Sequence, residues 1–155
     1  MKIANLFIII FFILSCNTEY SIKKVEIPSS ITNWNVNDEP PSIKLCDQIE
    51  SELNRNICFQ NELIKLIYEN IDFSEIVVER DLNDTLIISI LINKKGEISF
   101  FKSVIPLEIK NQIPLIYSIL NKAIKRLHRI LPATKTNIGV QVNSSFELPL
   151  ILKTK

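Results

Sequence analysis

Residues 131–152 read LPATKTNIGVQVNSSFELPLIL and carry the cleanest period-two pattern in the chain. Val140, Val142, Phe146, Leu148 and Leu150 fall on one face, while Gln141, Asn143, Ser145 and Glu147 fall on the other, as a half-buried strand requires. Pro132 ends the helical pattern before it. Gly139, one of two glycines in the chain, sits where a loop must turn into the strand. The stretch is expected to be the last strand of an antiparallel sheet, and no catalytic chemistry is visible in it.

Upstream, Ile113, Ile116, Leu120, Ala123, Ile124, Leu127 and Ile130 form a helical stripe, with Pro114 in its first turn and Lys122, Lys125, Arg126 and Arg129 facing outward. This helix is expected to cover one sheet face, and its cations suit the negative end of the helix dipole. A solvated face is the simple reading of that cluster, and a peptidoglycan or phospholipid contact is the functional one. Earlier still, Leu86 to Ile92 is a β-branched run, Asn93, Lys94, Lys95 and Gly96 supply a turn, and residues 97–104 resume as a strand. That is a hairpin.

Leu53, Ile57, Ile64, Ile67 and Ile71 recur at helical spacing, widened by Phe59 and Leu63, so a helix is expected over residues 51–70. The expected class is therefore α+β, a small antiparallel sheet packed by two helices.

At 155 residues the chain amounts to one domain. Its 18 Lys and Arg against 17 Asp and Glu create no strong field, so a nucleic-acid partner is not expected. With two glycines there is no phosphate-cradling loop, and no nucleotide or other cofactor is expected. His128 is the sole histidine, which removes a multi-histidine metal site and leaves any hydrolytic triad dependent on one residue. No Gly-x-Ser-x-Gly motif accompanies it. The carboxylates Glu75, Glu79, Asp81 and Asp84 cluster before the hairpin, where a charged loop or a glycosidase-like pair would both fit the sequence. The expectation is a protein that is not an enzyme.

Met1 and Lys2 give a positive start, and residues 3–14 are a nearly unbroken apolar run too short to span a bilayer. The run ends in Ile13, Leu14, Ser15 and Cys16, which resembles the lipobox of bacterial lipoproteins. That resemblance implies acylation of Cys16, removal of residues 1–15 and a membrane held through a lipid anchor, in the cell envelope and facing the periplasm. An ordinary signal peptide or an uncleaved anchor is the alternative. Residues 16–41 are polar, end in Pro40 and Pro41, and read as a linker in which Trp34 docks on the domain as a local clasp or stacks on a ligand. Residues 42–155 are left as the folded domain. With Cys16 acylated, export makes a disulfide between Cys46 and Cys58 the default.

The succession of helix, hairpin, helix, Leu131-Pro132-Ala133, Gly139-Val140 and a final alternating strand resembles the C-terminal domain of the TonB family. So does the run Leu86, Ile88, Ile90, Ile92, Asn93, Lys94, Lys95, Gly96, Ile98, and Cys46 and Cys58 match the cysteine pair of its Bacteroidota-type members. The resemblance implies recruitment of a periplasmic or outer-membrane protein, such as a TonB-dependent transporter, by β-strand addition to an exposed sheet edge. Val140, Val142, Ser144, Phe146 and Leu148 are the residues to expect on that edge. An energy transducer also needs a membrane-spanning helix and a long proline-rich spacer. The expected function is therefore a lipid-anchored protein-binding module, with a structural envelope lipoprotein or a conventional transducer as the alternatives.

Overall fold

The computed structural model describes residues 33–154. Helix α1 runs over Glu52–Asn70, and Ser51 caps it with its hydroxyl oxygen accepting from the Asn54 amide at 3.5 Å. It buries Phe59, Leu63 and Ile67, while Leu53 and Ile57 stand exposed, so the inward stripe starts a turn and a half later than the sequence pattern suggests. The first turns of α1 are tied to the segment before the helix by the Cys46–Cys58 disulfide, whose Cα atoms lie 5.8 Å apart. A short 3-10 turn, Phe73–Glu75, is capped by Asp72.

Strands β1 (Asn83–Ile92) and β2 (Ile98–Val104) form the expected hairpin. Gly96 closes its turn at φ +76°, and a Cβ there would collide with the carbonyl oxygen of Ile130. Helices α2 (Leu107–Gln112) and α3 (Ile116–Lys125) follow, and β3 (Ser144–Lys153) completes a three-stranded antiparallel sheet of order β2-β1-β3.

Two boundaries differ from the sequence expectation. The second helical stripe is broken into α2 and α3, because Pro114 keeps Ile113 extended (φ −128°, ψ 74°) and α3 starts only beyond it. The stripe also stops at Lys125, well before Pro132. Ile130 instead donates its N–H to the Gly96 carbonyl at 3.0 Å, and Leu131 exchanges backbone hydrogen bonds with Ser42 at 3.0 and 3.1 Å. These bonds satisfy groups that a longer helix would have used internally.

The even-numbered residues of β1, Leu86, Ile88, Ile90 and Ile92, meet Leu148, Leu150 and Leu152 of β3 and the inward faces of α1 and α3 in one core. At about 1.5–3 kcal/mol per fully buried aliphatic side chain, this single layer between sheet and helices supplies the main favourable term of folding. Among the described residues no helix covers the opposite sheet face, and Ile87, Phe101, Val104 and Ile151 are exposed on it.

The segment read as linker is attached to the domain from residue 33 onward. Isolated bridges join Asn33 to Asn143, Glu39 to Thr134 and Ser42 to Leu131. Trp34 packs on Phe146 at a ring-centroid distance of 5.7 Å, and Phe59 packs on the same ring at 5.8 Å. The clasp role expected for Trp34 is the one its geometry supports. Pro41 and Asp38 are buried, so the folded unit extends upstream of residue 42. Cys16, the leader and the rest of the linker lie outside the described residues.

Candidate functional site

Among the described residues β3 pairs only with β1, through ten residues from Ser144↔Ile92 to Lys153↔Asn83, and its other side is the margin of the sheet. Backbone direction along that margin is settled by three contacts. The N–H of Ile151 donates to the Tyr68 hydroxyl at 2.6 Å, and that hydroxyl donates to the Ile151 carbonyl at 2.8 Å, so Ile151 points its polar groups away from β1. The N–H of Thr154 bonds the Leu82 carbonyl at 2.9 Å, so the even-numbered positions point toward β1. At the other end, the Asn143 carbonyl accepts from the Trp34 N–H at 2.9 Å. An antiparallel ladder alternates, so Ser145, Glu147, Pro149 and Ile151 direct their main-chain groups outward.

The residues expected on this edge are thereby sorted. Ser144, Phe146 and Leu148 lie in β3 but spend their backbone groups on β1, and Ser144 and Leu148 are buried. Val142 is buried two residues before the strand's first pair, its N–H given to the Ala133 carbonyl at 2.9 Å. Val140 is not in the strand. It sits exposed at the end of a tight turn in which Gly139 adopts φ +65° and the Val140 carbonyl accepts from the Lys135 N–H at 2.8 Å. The outward-facing groups belong to the odd-numbered residues between them.

Tyr68 went unnoticed in the sequence because it lies on the flank of α1, but Pro149 was a usable signal. A proline inside a strand must direct its missing N–H away from the ladder, which marks an edge. Burial pushes the Tyr68 phenol above its ordinary range, against the opposing pull of the Ile151 hydrogen bond, so it remains a donor.

The other candidates are scattered. His128, Arg126, Arg129, Lys44 and Asp47 line an open groove of about 900 Å³ beside Ile130 and Leu131. Both its arginines are engaged: Arg126 donates to the Asn70 carbonyl at 3.3 Å and Arg129 bonds Glu97 at 2.7 Å. Of the early carboxylates, Asp84 accepts from the adjacent Thr85 amide at 2.7 Å and Asp81 from the Thr154 hydroxyl at 3.4 Å, while Glu79 is exposed. Among the described residues no group of three His, Cys, Asp or Glu side chains is arranged to hold a metal ion, and no helix is long and apolar enough to cross a membrane. Comparison with family models, with curated proteins and with solved structures gives no match for this chain.

Proposed function

We propose that this chain is a lipid-anchored, periplasm-facing binding module of the TonB C-terminal type, which receives an extended segment of another envelope protein on the outer edge of β3. The carrying observation is the margin of β3, where Ser145 and Glu147 hold outward main-chain donors and acceptors with no strand beside them among the described residues. Such an edge is a ready template for another polypeptide, and main-chain bonding supplies affinity there. The α+β architecture with a small antiparallel sheet is compatible with that family. The sequence resemblance adds the partner class, a TonB-dependent outer-membrane transporter. The chemistry is recognition and not catalysis.

A photo-crosslinking residue placed at Ser145 in cells tests this. The expected result is an adduct with an outer-membrane transporter and reduced uptake in a deletion strain. Unchanged uptake, together with no adduct from Ser145, would reject it. The anchor is tested separately, with Cys16→Ser expected to abolish incorporation of labelled palmitate.

A structural envelope role is the second reading. It is favoured by the exposed apolar residues Ile87, Phe101 and Val104 on the sheet face opposite the core, which suit a static contact. Normal uptake with an adduct to a non-transporting envelope protein would decide for it.

A further inference from the structure

Resting on the strand-addition reading, we infer that the open part of β3 is a short window selective for one kind of partner: an extended segment that places lysine or arginine opposite Glu147.

The window is bounded on both sides by residues of this chain. At its far end the Tyr68 hydroxyl occupies both main-chain groups of Ile151. Pro149 has no N–H to offer. At its near end Trp34 covers the Asn143 carbonyl and stacks on Phe146. What remains is the N–H and C=O of Ser145, the N–H and C=O of Glu147 and the carbonyl of Pro149. An incoming strand is thus held over about five residues, two of them fully paired, with Glu147 at the centre.

Glu147 is exposed and has no hydrogen bond or ion pair among the described residues. Its partner across β1 is Ser89, whose own partner on β2 is Lys102, so the nearest cation in the row stands two strands away, about 9.5 Å at ordinary strand spacing. The carboxylate is therefore available to whatever lies on its other side. Opposite charges facing each other across strands attract, and like charges repel. Two copies of this chain pairing antiparallel about the window would set Glu147 against Glu147. The edge is thus guarded against self-association by the same residue that selects a cationic partner.

The test uses the full chain, isotope-labelled in detergent micelles at low ionic strength, titrated with two synthetic peptides, acetyl-TVKVT-amide and acetyl-TVEVT-amide. The lysine peptide is expected to shift the amide resonances of Ser145 and Glu147 and to bind about three- to tenfold tighter than the glutamate peptide, the ratio that cross-strand charge pairs supply. Glu147→Lys should reverse the preference. Tyr68→Phe should preserve it while extending the perturbation to Ile151. Equal response to both peptides at Ser145 and Glu147 would overturn the charge selection and leave strand addition standing. Absence of any response at the edge, in wild type and in both variants, would overturn both.

Discussion

Lys135 Nζ lies 2.6 Å from the Asp38 carboxylate, with both side chains more than nine-tenths buried, so the segment entering the domain is bolted to the loop that leads into β3. The carboxylate is also bonded by the Asn35 N–H at 2.8 Å, and the Trp34 indole N–H reaches the Asp38 carbonyl at 3.2 Å. Removing one partner of such a pair strands the other charge away from water. Lys135→Met is therefore expected to lower the melting temperature and to shift Trp34 emission to the red as the ring leaves Phe146. Combining it with Asp38→Leu should recover much of the loss. Unchanged emission in Lys135→Met would show that the pair does not hold the segment.

The same pair has a pH signature. Burial pushes the Asp38 carboxyl up, but the Lys135 ammonium and the Asn35 amide more than offset it, leaving the group below its ordinary value of 3.8. A carboxyl depressed in the folded state contributes stability that is fully present above that ordinary value and is lost as pH falls through the lower folded value. Acid unfolding followed by Trp34 emission should therefore steepen below about pH 4. In Asp38→Asn, that part of the acid slope should disappear. An identical slope in both proteins would contradict the assignment.

Gly96 is required twice, once for its positive φ and once because the Ile130 carbonyl oxygen fills the space of a Cβ. Gly96→Ala is expected to cost at least about 1–3 kcal/mol, since the backbone must strain and Ile130 must retreat. Denaturant unfolding should show a lower midpoint with an unchanged slope. A shift within error of zero would mean that the turn is not built this way.

The disulfide joins residues 12 apart and ties the segment before α1 to the helix itself. Its removal by the double change Cys46→Ala and Cys58→Ala is expected to cost about 3 kcal/mol in the chain-entropy model. Thiol titration of the folded wild type should find neither sulfur reactive. Two reactive thiols would contradict the bridge.

Neighbours in β3 should respond in opposite ways. Leu148 is fully buried and Glu147 is exposed, so Leu148→Ala is expected to cost about 2–5 kcal/mol and Glu147→Ala less than about 0.5. Similar costs at both positions would refute the register.

The hairpin and final strand were legible because their signals are local: a β-branched run, an Asn-to-Gly turn, and an apolar residue at every second position from Phe146. The phase of that strand was legible, but its start was not. Val140 shares the parity of Leu148, yet Lys135 draws its carbonyl into a turn and the ladder begins only at Ser144. Helix limits failed for a similar reason, since the Gly96 and Ser42 carbonyls that capture Ile130 and Leu131 come from distant sequence. Which residues of β3 direct their main-chain groups to the margin was not legible in the sequence. Side-chain parity points to the core, whereas an open margin is offered by main-chain groups, and only the Tyr68 and Trp34 contacts reveal which residues hold them.

Backbone hydrogen exchange of the partner-free full chain bears most directly on the open margin of β3. The amides of Leu148, Leu150 and Leu152, bonded into β1, are expected to exchange slowly, while those of Ser145 and Glu147 exchange rapidly and that of Ile151 falls between, released in Tyr68→Phe. Slow exchange at Ser145 and Glu147 in the free protein would mean that something already covers this edge, and the binding role proposed for it would fall.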